Sequence, residues 1–421
     1  MLLIEIYIMN LISPFCGLRP ATGRADDVVA PPYDVLNTAE ARERVQGKPW
    51  SFLHISKPEI DLSEGIDPYS PDVYAKAAEN LEKMITEGVL KQDEKPCYYA
   101  YRLVMGDIVQ TGLVAGASVD DYDTNRIRKH EYTRPVKEDD RVRQIDAVNA
   151  QTGPVLLAYP DAPSVDSILA KASADTPDMD VTADDGIQHT LWVIDDNDLI
   201  QQLTDAFNAM EAIYIADGHH RSASASRICA ERRQGSKIEA GKAPWDYFLT
   251  VAFPHHEMKI FDYNRVIKDL NGLSANEFIN KISDNFTVTK SGTPVKPVKI
   301  AEYGMYMDKQ WYRLILNDDL MTDTDPVAKL DISRLANHLI DPILGISDPR
   351  TDNRIDFVGG IRGLEGLEKR VDSGEMAVAF SIFATRMEDL MSVADNNDVM
   401  PPKSTWFEPK LADGVVSLML K

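Results

Sequence analysis

A chain of 421 residues, 44% of them apolar, is long enough for roughly two or three domains and a sizeable buried core. Its 45 Lys and Arg against 67 Asp and Glu give a formal net charge of −22 that is spread along the sequence. DNA binding through the whole surface is therefore disfavoured, whereas a small anion in a locally basic pocket is compatible with it. Cys16, Cys97 and Cys229 are far apart and form no Cys-x-x-Cys pair, which suits a reducing compartment and supplies neither a disulfide framework nor a zinc site.

Met1 to Ile8 is apolar, but Glu5 interrupts it, no basic segment precedes it and it is too short to span a bilayer. Residues 1–8 are expected to be an over-called start, with Met9 as the alternative, or a strand extension. No other stretch reads as transmembrane, so a soluble, cytoplasmic protein without a membrane partner is expected.

Short β-like runs alternate with helical ones, which predicts an α/β protein with a mixed sheet. Val28-Val29-Ala30 leads into Pro31-Pro32-Tyr33-Asp34-Val35, an extended turn because each proline biases its predecessor away from helix. Residues 71–90 carry helical periodicity through Val73, Ala77, Leu81, Met84 and Ile85 to Gly88. Cys97 to Val104 and Gly112 to Ser118 read as a hairpin. The most basic stretch runs from Arg126 through Arg128, Lys129, His130 and Glu131 to Arg134, followed by Lys137-Glu138-Asp139-Asp140-Arg141. It is either a solvated helix face or a wall of an anion pocket, with Glu131 or Glu138 near the reacting group.

Asn149 to Pro154 leads into a strand from Val155 to Tyr159. Residues 160–187, rich in Pro, Asp, Ser and Ala, read as a mobile excursion with one helix. Gln188 to Ile194 returns to the sheet, and Asp198 to Met210 is helical.

The apolar run Ala212-Ile213-Tyr214-Ile215 then meets Ala216-Asp217-Gly218-His219-His220-Arg221 and the small residues Ser222 to Ser226. This predicts strand, tight turn, helix. Gly218 can take a positive φ, the N–H groups of the helix start point outward, and Arg221 adds a charged donor fork, so the turn is a seat for phosphate. His219 and His220 add donors that titrate near neutral pH. As a plain helix start, Asp217 would cap the N–H groups and the histidines would lie in solvent.

His255-His256-Glu257 raises a metal site, but adjacent side chains on a strand point to opposite faces, so the two histidines are not expected to grip one ion. A domain boundary is expected near residue 290, dividing the chain into 1–8, a core over 9–290 and an α+β region over 291–421. Glu302 to Leu314 reads as a hairpin turning at Asp308-Lys309, and Leu330 to Leu344 as a core helix. Met400 to Lys410 is rigid, extended and rich in polar donors, either a lid over the site or a packing strap; its Lys403-Ser404-Thr405 lacks the upstream glycines of a P-loop.

Pro31 to Val35, Ser51-Phe52-Leu53-His54, Lys129-His130-Glu131, Lys137 to Arg141, Asp217 to Arg221, Leu344 to Arg350, Ile355 to Gly360 and Pro401 to Thr405 together resemble the bacterial and archaeal domain-of-unknown-function family 1015. The Asp217 to Arg221 turn is similar to the phosphate-binding box of the wider ParB and sulfiredoxin-like superfamily, whose nucleotide-binding core is the fold that this resemblance implies. Sulfiredoxins carry a catalytic Cys in a Gly-Cys-His-Arg box; here His219 stands at that place, so the thiol chemistry is excluded. ParB proteins pair the core with a basic helix-turn-helix, which this acidic chain lacks after the box.

What survives is the resemblance to free serine kinases: phosphoryl transfer from ATP or ADP, with CTP as an alternative donor, to a small hydroxyl substrate, L-serine first. In that reading Gly218 to Arg221 hold the phosphates, Arg128, Lys129 and Arg141 offset their charge, and Mg²⁺ bridges them to Asp217. Glu131 is the first choice of general base and Glu138 the second, His219 or His220 donates to the leaving oxygen, and Tyr33 and Asp34 position the substrate, unless they serve turn chemistry alone. The alternatives are a nucleotide-binding switch of ParB type without turnover and a scaffold without ligand.

Overall fold

The computed structural model describes residues 9–421, and the expectation for residues 1–8 lies outside the described residues. The chain divides into two compact units, one of Met1–Met258 with Pro409–Lys421 and one of Lys259–Glu408. The boundary expected near residue 290 falls inside a strand of the second unit, Phe286–Ser291.

In chain order the first unit contributes β1 (Ile12–Ser13), α1 (Pro71–Thr86), β2 (Tyr98–Met105), β3 (Ile108–Ser118), β4 (Ile127–Arg128), α2 (Pro135–Val148), β5 (Val155–Tyr159), α3 (Pro163–Ala172), β6 (Met179–Thr182), β7 (Gln188–Ile194), α4 (Asn197–Asn208), β8 (Ile213–Asp217), α5 (His219–Arg233) and β9 (Tyr247–Pro254). These nine strands form one mixed sheet in the order β4-β8-β5-β9-β3-β2-β7-β6, with β1 also pairing β3. β9 runs parallel to β5 and antiparallel to β3, while β8 is antiparallel to β5 and parallel to β4. β5 and β9 are buried along their whole length. A strand covered on both faces needs no polar alternation, which is why both read as near-continuous apolar runs. The hydroxyl of Thr250, midway along β9, donates to the Val155 carbonyl at 2.8 Å.

Helix α4 opens where the Asp196 side chain accepts from the N–H groups of Asp198 and Leu199, and it lays Leu203 and Phe207 on the sheet, with Phe207 5.2 Å from the Tyr159 ring. Helix α1 buries Val73, Tyr74, Ala77, Leu81 and Met84, the stripe that its periodicity predicts. A smaller sheet joins Leu90–Gln92, Gly17–Pro20, Ser417–Met419 and Ala150–Gln151, which draws the C-terminal segment into the first unit.

Several local expectations change. Ala25–Val28 is a single helical turn, after which Pro32 is extended and Tyr33–Val35 is a 3₁₀ turn. Arg126 to Arg134 is no helix face: Ile127–Arg128 is an edge strand followed by loop, and only Lys137 to Arg141 lie in a helix, α2. Residues 160–187 hold β6 as well as α3, and Met179 and Val181 of that strand are buried. His255–Glu257 is a 3₁₀ turn rather than a strand.

The second unit is built on an antiparallel six-stranded sheet ordered Phe286–Ser291, Gln310–Leu316, Glu302–Met307, Val378–Ile382, Tyr263–Ile267, Ile355–Gly359. Its hairpin turns on Asp308 (φ 50°) and Lys309 (φ 62°), as expected. The helix expected over Leu330 to Leu344 runs as Asp331–Leu335, a π-helical turn Ala336–Ile340 and Asp341–Leu344. Pro342 has no N–H to offer the His338 carbonyl, and the Asn285 side chain donates to that carbonyl at 2.9 Å instead.

Phe248, on β9, is fully buried in the core of the first unit. Phe248→Ala is expected to lower the stability of that unit by about 3–5 kcal/mol, read from chemical denaturation.

Candidate functional site

Strand β8 ends at Asp217, and α5 begins one residue later. Between them Gly218 has φ 104°, in the left-handed region, and a Cβ there would come within 3.3 Å of Val155 Cα. No side chain caps the start of α5, so the N–H groups of its first turn remain a donor array of the kind that anions bind. The alternative of a plain helix start capped by Asp217 is thus not what the structure has.

Asp217 instead meets cations. Its Oδ2 is 3.6 Å from Arg221 Nη2 and 3.6 Å from Lys410 Nζ, with the carboxylate 38% exposed. Desolvation by the surrounding protein pushes its pKa up, but Lys410 and Arg221 hold it well below the usual carboxylate range. Arg221 also reaches Asp34 Oδ2 at 3.7 Å and donates to the Pro154 carbonyl.

Next to Arg221 is a small polar cavity of about 30 Å³, whose lining includes Tyr33, Arg141, Thr152, Gly153, Arg221 and Asp413. The Arg141 guanidinium lies 4.1 Å from the centre of the Tyr33 ring and is fixed by Asp140 at 2.7 and 3.0 Å. The Tyr33 N–H donates to Asp413 Oδ2 at 3.3 Å. Asp413 is 2% exposed, and burial, reinforced by Asp34 and opposed by Arg221, pushes its pKa up to about 7.

A second cluster adjoins the turn. His219 Nε2 accepts from the His130 N–H at 3.3 Å, which leaves the proton of a neutral imidazole on Nδ1, 4.0 Å from Glu131 Oε2. The His130 and His219 rings meet edge to face at 4.5 Å. Burial pushes His130 down to about 4, and burial with the neighbouring His130 drives His219 lower as well, so both rings are neutral near pH 7. His220 Nε2 accepts from the Arg134 N–H at 3.0 Å.

The structure therefore brings Asp217, Gly218, Arg221, Tyr33, Asp34 and Arg141 into one neighbourhood, and places Glu131 against His219. Other residues of the basic stretch have other partners. Arg128 is 3.6 Å from Glu211 and lies over the Tyr214 ring. Lys129 donates to the Tyr122 carbonyl at 2.8 Å and lies over the Tyr122 ring. Glu138 is 3.5 Å from Arg227. None of these three lines the small cavity.

Lys410, Asp413, Thr152 and Gly153 were not singled out as site residues from the sequence. Lys410 closes the donor-rich segment expected to be a lid or a strap. Asp413 had only one signal, an Asp-Gly turn in an otherwise apolar C-terminal run, where Gly414 takes φ 81°. For a hard divalent ion, Asp217 and Asp34 are oxygen donors partly open to solvent, at 38% and 44% exposure. His130, Glu131 and His219 form a second group within metal-holding reach of one another.

The raised pKa of Asp413 has a pH consequence. The stability tied to its neutral form is fully present below its ordinary 3.8 and is lost as pH rises through about 7. Asp413→Asn keeps the neutral shape, so its Tm relative to the parent protein is expected to be higher at pH 8 than at pH 5. An equal difference at both pH values would rule out a neutral, buried Asp413.

No curated protein sequence matches the chain. Among solved structures it is similar to a mutant free serine kinase in complex with AMP, with 13% identity over 70% of this chain and 86% of that one and a TM-score of 0.34. It is also similar to SbnI with a C-terminal truncation from Staphylococcus aureus (11% identity, 71% of this chain, 85% of that one, TM-score 0.36). A conserved hypothetical protein from Pyrococcus furiosus gives 14% identity over 72% and 93% of the two chains, with a TM-score of 0.32. These likenesses are remote, and no residue role passes from them to this chain. The family described as "Protein of unknown function (DUF1015)" matches residues 12–333, more than half of the sequence, and the chain belongs to that family.

Proposed function

We propose that the first unit binds the phosphates of a nucleotide at the Asp217 to Arg221 turn and transfers the terminal phosphoryl group to a small hydroxyl compound, with ATP or ADP as donor, CTP as an alternative, and free L-serine as the first acceptor to try. The observation that carries this reading is the uncapped start of α5, flanked by Arg221 and Lys410 and by the small polar cavity. Donor N–H groups and two cations in a partly desolvated recess are what a polyphosphate requires. Arg141, held by Asp140 and stacked on Tyr33, adds a third cation at the cavity wall.

In the transfer, the acceptor oxygen bonds to the terminal phosphorus while the bond from that phosphorus to the bridging oxygen breaks. Glu131 takes the hydroxyl proton; its contact with His219 keeps the carboxylate oriented, and its half-exposed position leaves it open to a substrate. The Nδ1–H of His220, whose Nε2 accepts from the Arg134 N–H, donates a hydrogen bond to the departing oxygen. Tyr33 and Asp34 hold the acceptor. Asp217, with Asp34 beside it, would hold Mg²⁺, which when bound neutralises charge on the phosphates.

One observation favours the second reading, a nucleotide-binding switch without turnover. Glu138, the second choice of general base, is engaged by Arg227, which leaves Glu131 alone for that role.

Calorimetric titration with ATP, ADP, CTP and GTP in the presence of Mg²⁺, followed by a mass-spectrometric assay for phosphoserine, tests both readings. Arg221→Ala is expected to weaken nucleotide binding by about 1.5–3 kcal/mol, as loss of a charged hydrogen bond to phosphate does. Unchanged affinity would overturn the cradle. Glu131→Gln is expected to bind nucleotide as the parent does and to lose turnover, and full turnover in that variant would remove Glu131 as the base. Nucleotide binding by the parent protein without any phosphorylated product would leave the switch.

A further inference from the structure

Strands β5 and β9 run parallel, with Tyr159 opposite Pro254 at their ends. The residues that follow each end are therefore delivered to the same place. After β5 the chain continues through Pro160 to Asp161; after β9 it enters the 3₁₀ turn His255–Glu257. In a 3₁₀ turn successive side chains are about 120° apart rather than on opposite faces, so the objection that adjacent histidines cannot converge does not hold here. His256 Nδ1 is 2.9 Å and His255 Nδ1 is 3.6 Å from the same atom, Asp161 Oδ1. All three donor atoms lie within 4.8 Å of one another.

These spacings are close to those of a metal's ligand shell. Donors at about 2.0–2.2 Å from a tetrahedral ion stand roughly 3.3–3.6 Å apart; the His255 contact, 3.6 Å, lies at the edge of that range, and the His256 contact, 2.9 Å, is shorter. The cluster also has an unmatched atom. One hydrogen bond, from His256 to Asp161, accounts for the shorter contact, whereas His255 Nδ1 is buried and has no hydrogen-bond partner. A buried ring nitrogen without a hydrogen-bond partner, 3.6 Å from that carboxylate oxygen, can serve as a ligand atom.

We propose that Asp161, His255 and His256 form a binding site for a divalent transition metal of the zinc class. Two imidazoles and one carboxylate favour such an ion over Mg²⁺ or Ca²⁺, which take oxygen shells. Three protein ligands leave coordination open to water or to a further ligand. The site lies at the opposite end of β5 from the proposed phosphate cradle. Asp217 pairs with Leu156 near the start of β5, and Asp161 lies beyond its end, about 15 Å further along at strand rise. The metal site is thus independent of the phosphoryl-transfer reading.

The test is titration of the chelator-stripped, full-length protein with zinc chloride, followed by calorimetry and by metal analysis after desalting. The expected result is one equivalent bound at micromolar or tighter affinity that 5 mM magnesium chloride does not displace. Asp161→Asn and His256→Ala, both at exposed side chains, are each expected to weaken that equivalent at least tenfold. Zinc held by the His130, Glu131 and His219 group would appear as a second equivalent that these variants keep. Failure to bind zinc at 100 µM, displacement by magnesium, or variants that bind as many equivalents as tightly as the parent protein would each overturn the proposal.

Discussion

The first unit depends on how the Arg221 guanidinium is satisfied. The side chain is only 13% exposed, and a charge with that little water around it is costly unless it is paired and hydrogen-bonded. Its partners come from three distant parts of the sequence: Asp34 in the proline-rich turn, the Pro154 carbonyl before β5, and Asp217 at the end of β8. Asp413, from the C-terminal segment, lines the same cavity and bonds the backbone of Tyr33, next to Asp34. One cation thus ties together the proline-rich turn, the segment before β5 and the end of β8, and Asp413 joins them through Tyr33. Without it, several acidic groups would face one another in a desolvated recess, and burial already pushes one of them, Asp413, toward neutrality.

Strand direction decides which loops can meet around that cation. Because β8 is antiparallel to β5, the end of β8 is brought to the start of β5, so Asp217 and Gly218 come beside Pro154 and Val155. Because β9 is parallel to β5, their far ends gather Asp161 with His255 and His256. Two chemically different clusters are therefore the two ends of one five-residue strand. Gly218 is the tightest point of the first: a side chain there would crowd the Val155 backbone and the Arg221 guanidinium together.

What could be read beforehand follows from the range of the interactions involved. The strand-turn-helix around Asp217 to Arg221, the helix at Pro71–Thr86 and the hairpin turning at Asp308-Lys309 rest on local periodicity and on residues that favour particular backbone angles, and all three are present. The site role of Tyr33 and Asp34 beside Arg221 follows from residue type together with the family resemblance. Side-chain direction was not legible. Arg128 and Lys129 have the right charge, yet an edge-strand position presents Arg128 to Glu211, and Lys129 finds a carbonyl and an aromatic face on Tyr122. Asp413 and Lys410 lie almost two hundred residues from the turn in sequence, and only the pairing of Ser417–Met419 with Gly17–Pro20 and Ala150–Gln151 explains why they return to it. The geometry at His255 and His256 failed for the converse reason: a local assumption, that an apolar strand continues through them, was replaced by a 3₁₀ turn beginning just after Pro254.

The acidic character of the chain bears on which anion such a recess can select. A net charge of −22 repels any polyanion whose charge extends past the recess, and at physiological salt that repulsion acts over a screening length of about 8 Å. Inside that distance the charges around the uncapped start of α5 are mixed, with Arg221 and Lys410 meeting Asp217 and Arg221 also meeting Asp34, so a bound anion would draw on these cations and on the helix N–H groups at contact range. A compact phosphate group meets the cations at contact range, whereas a nucleic acid duplex must lay most of its charge against the acidic exterior. For the proposed cradle, discrimination by size would follow from having its cations at contact range beside an acidic exterior, with no shape complementarity required beyond the turn itself.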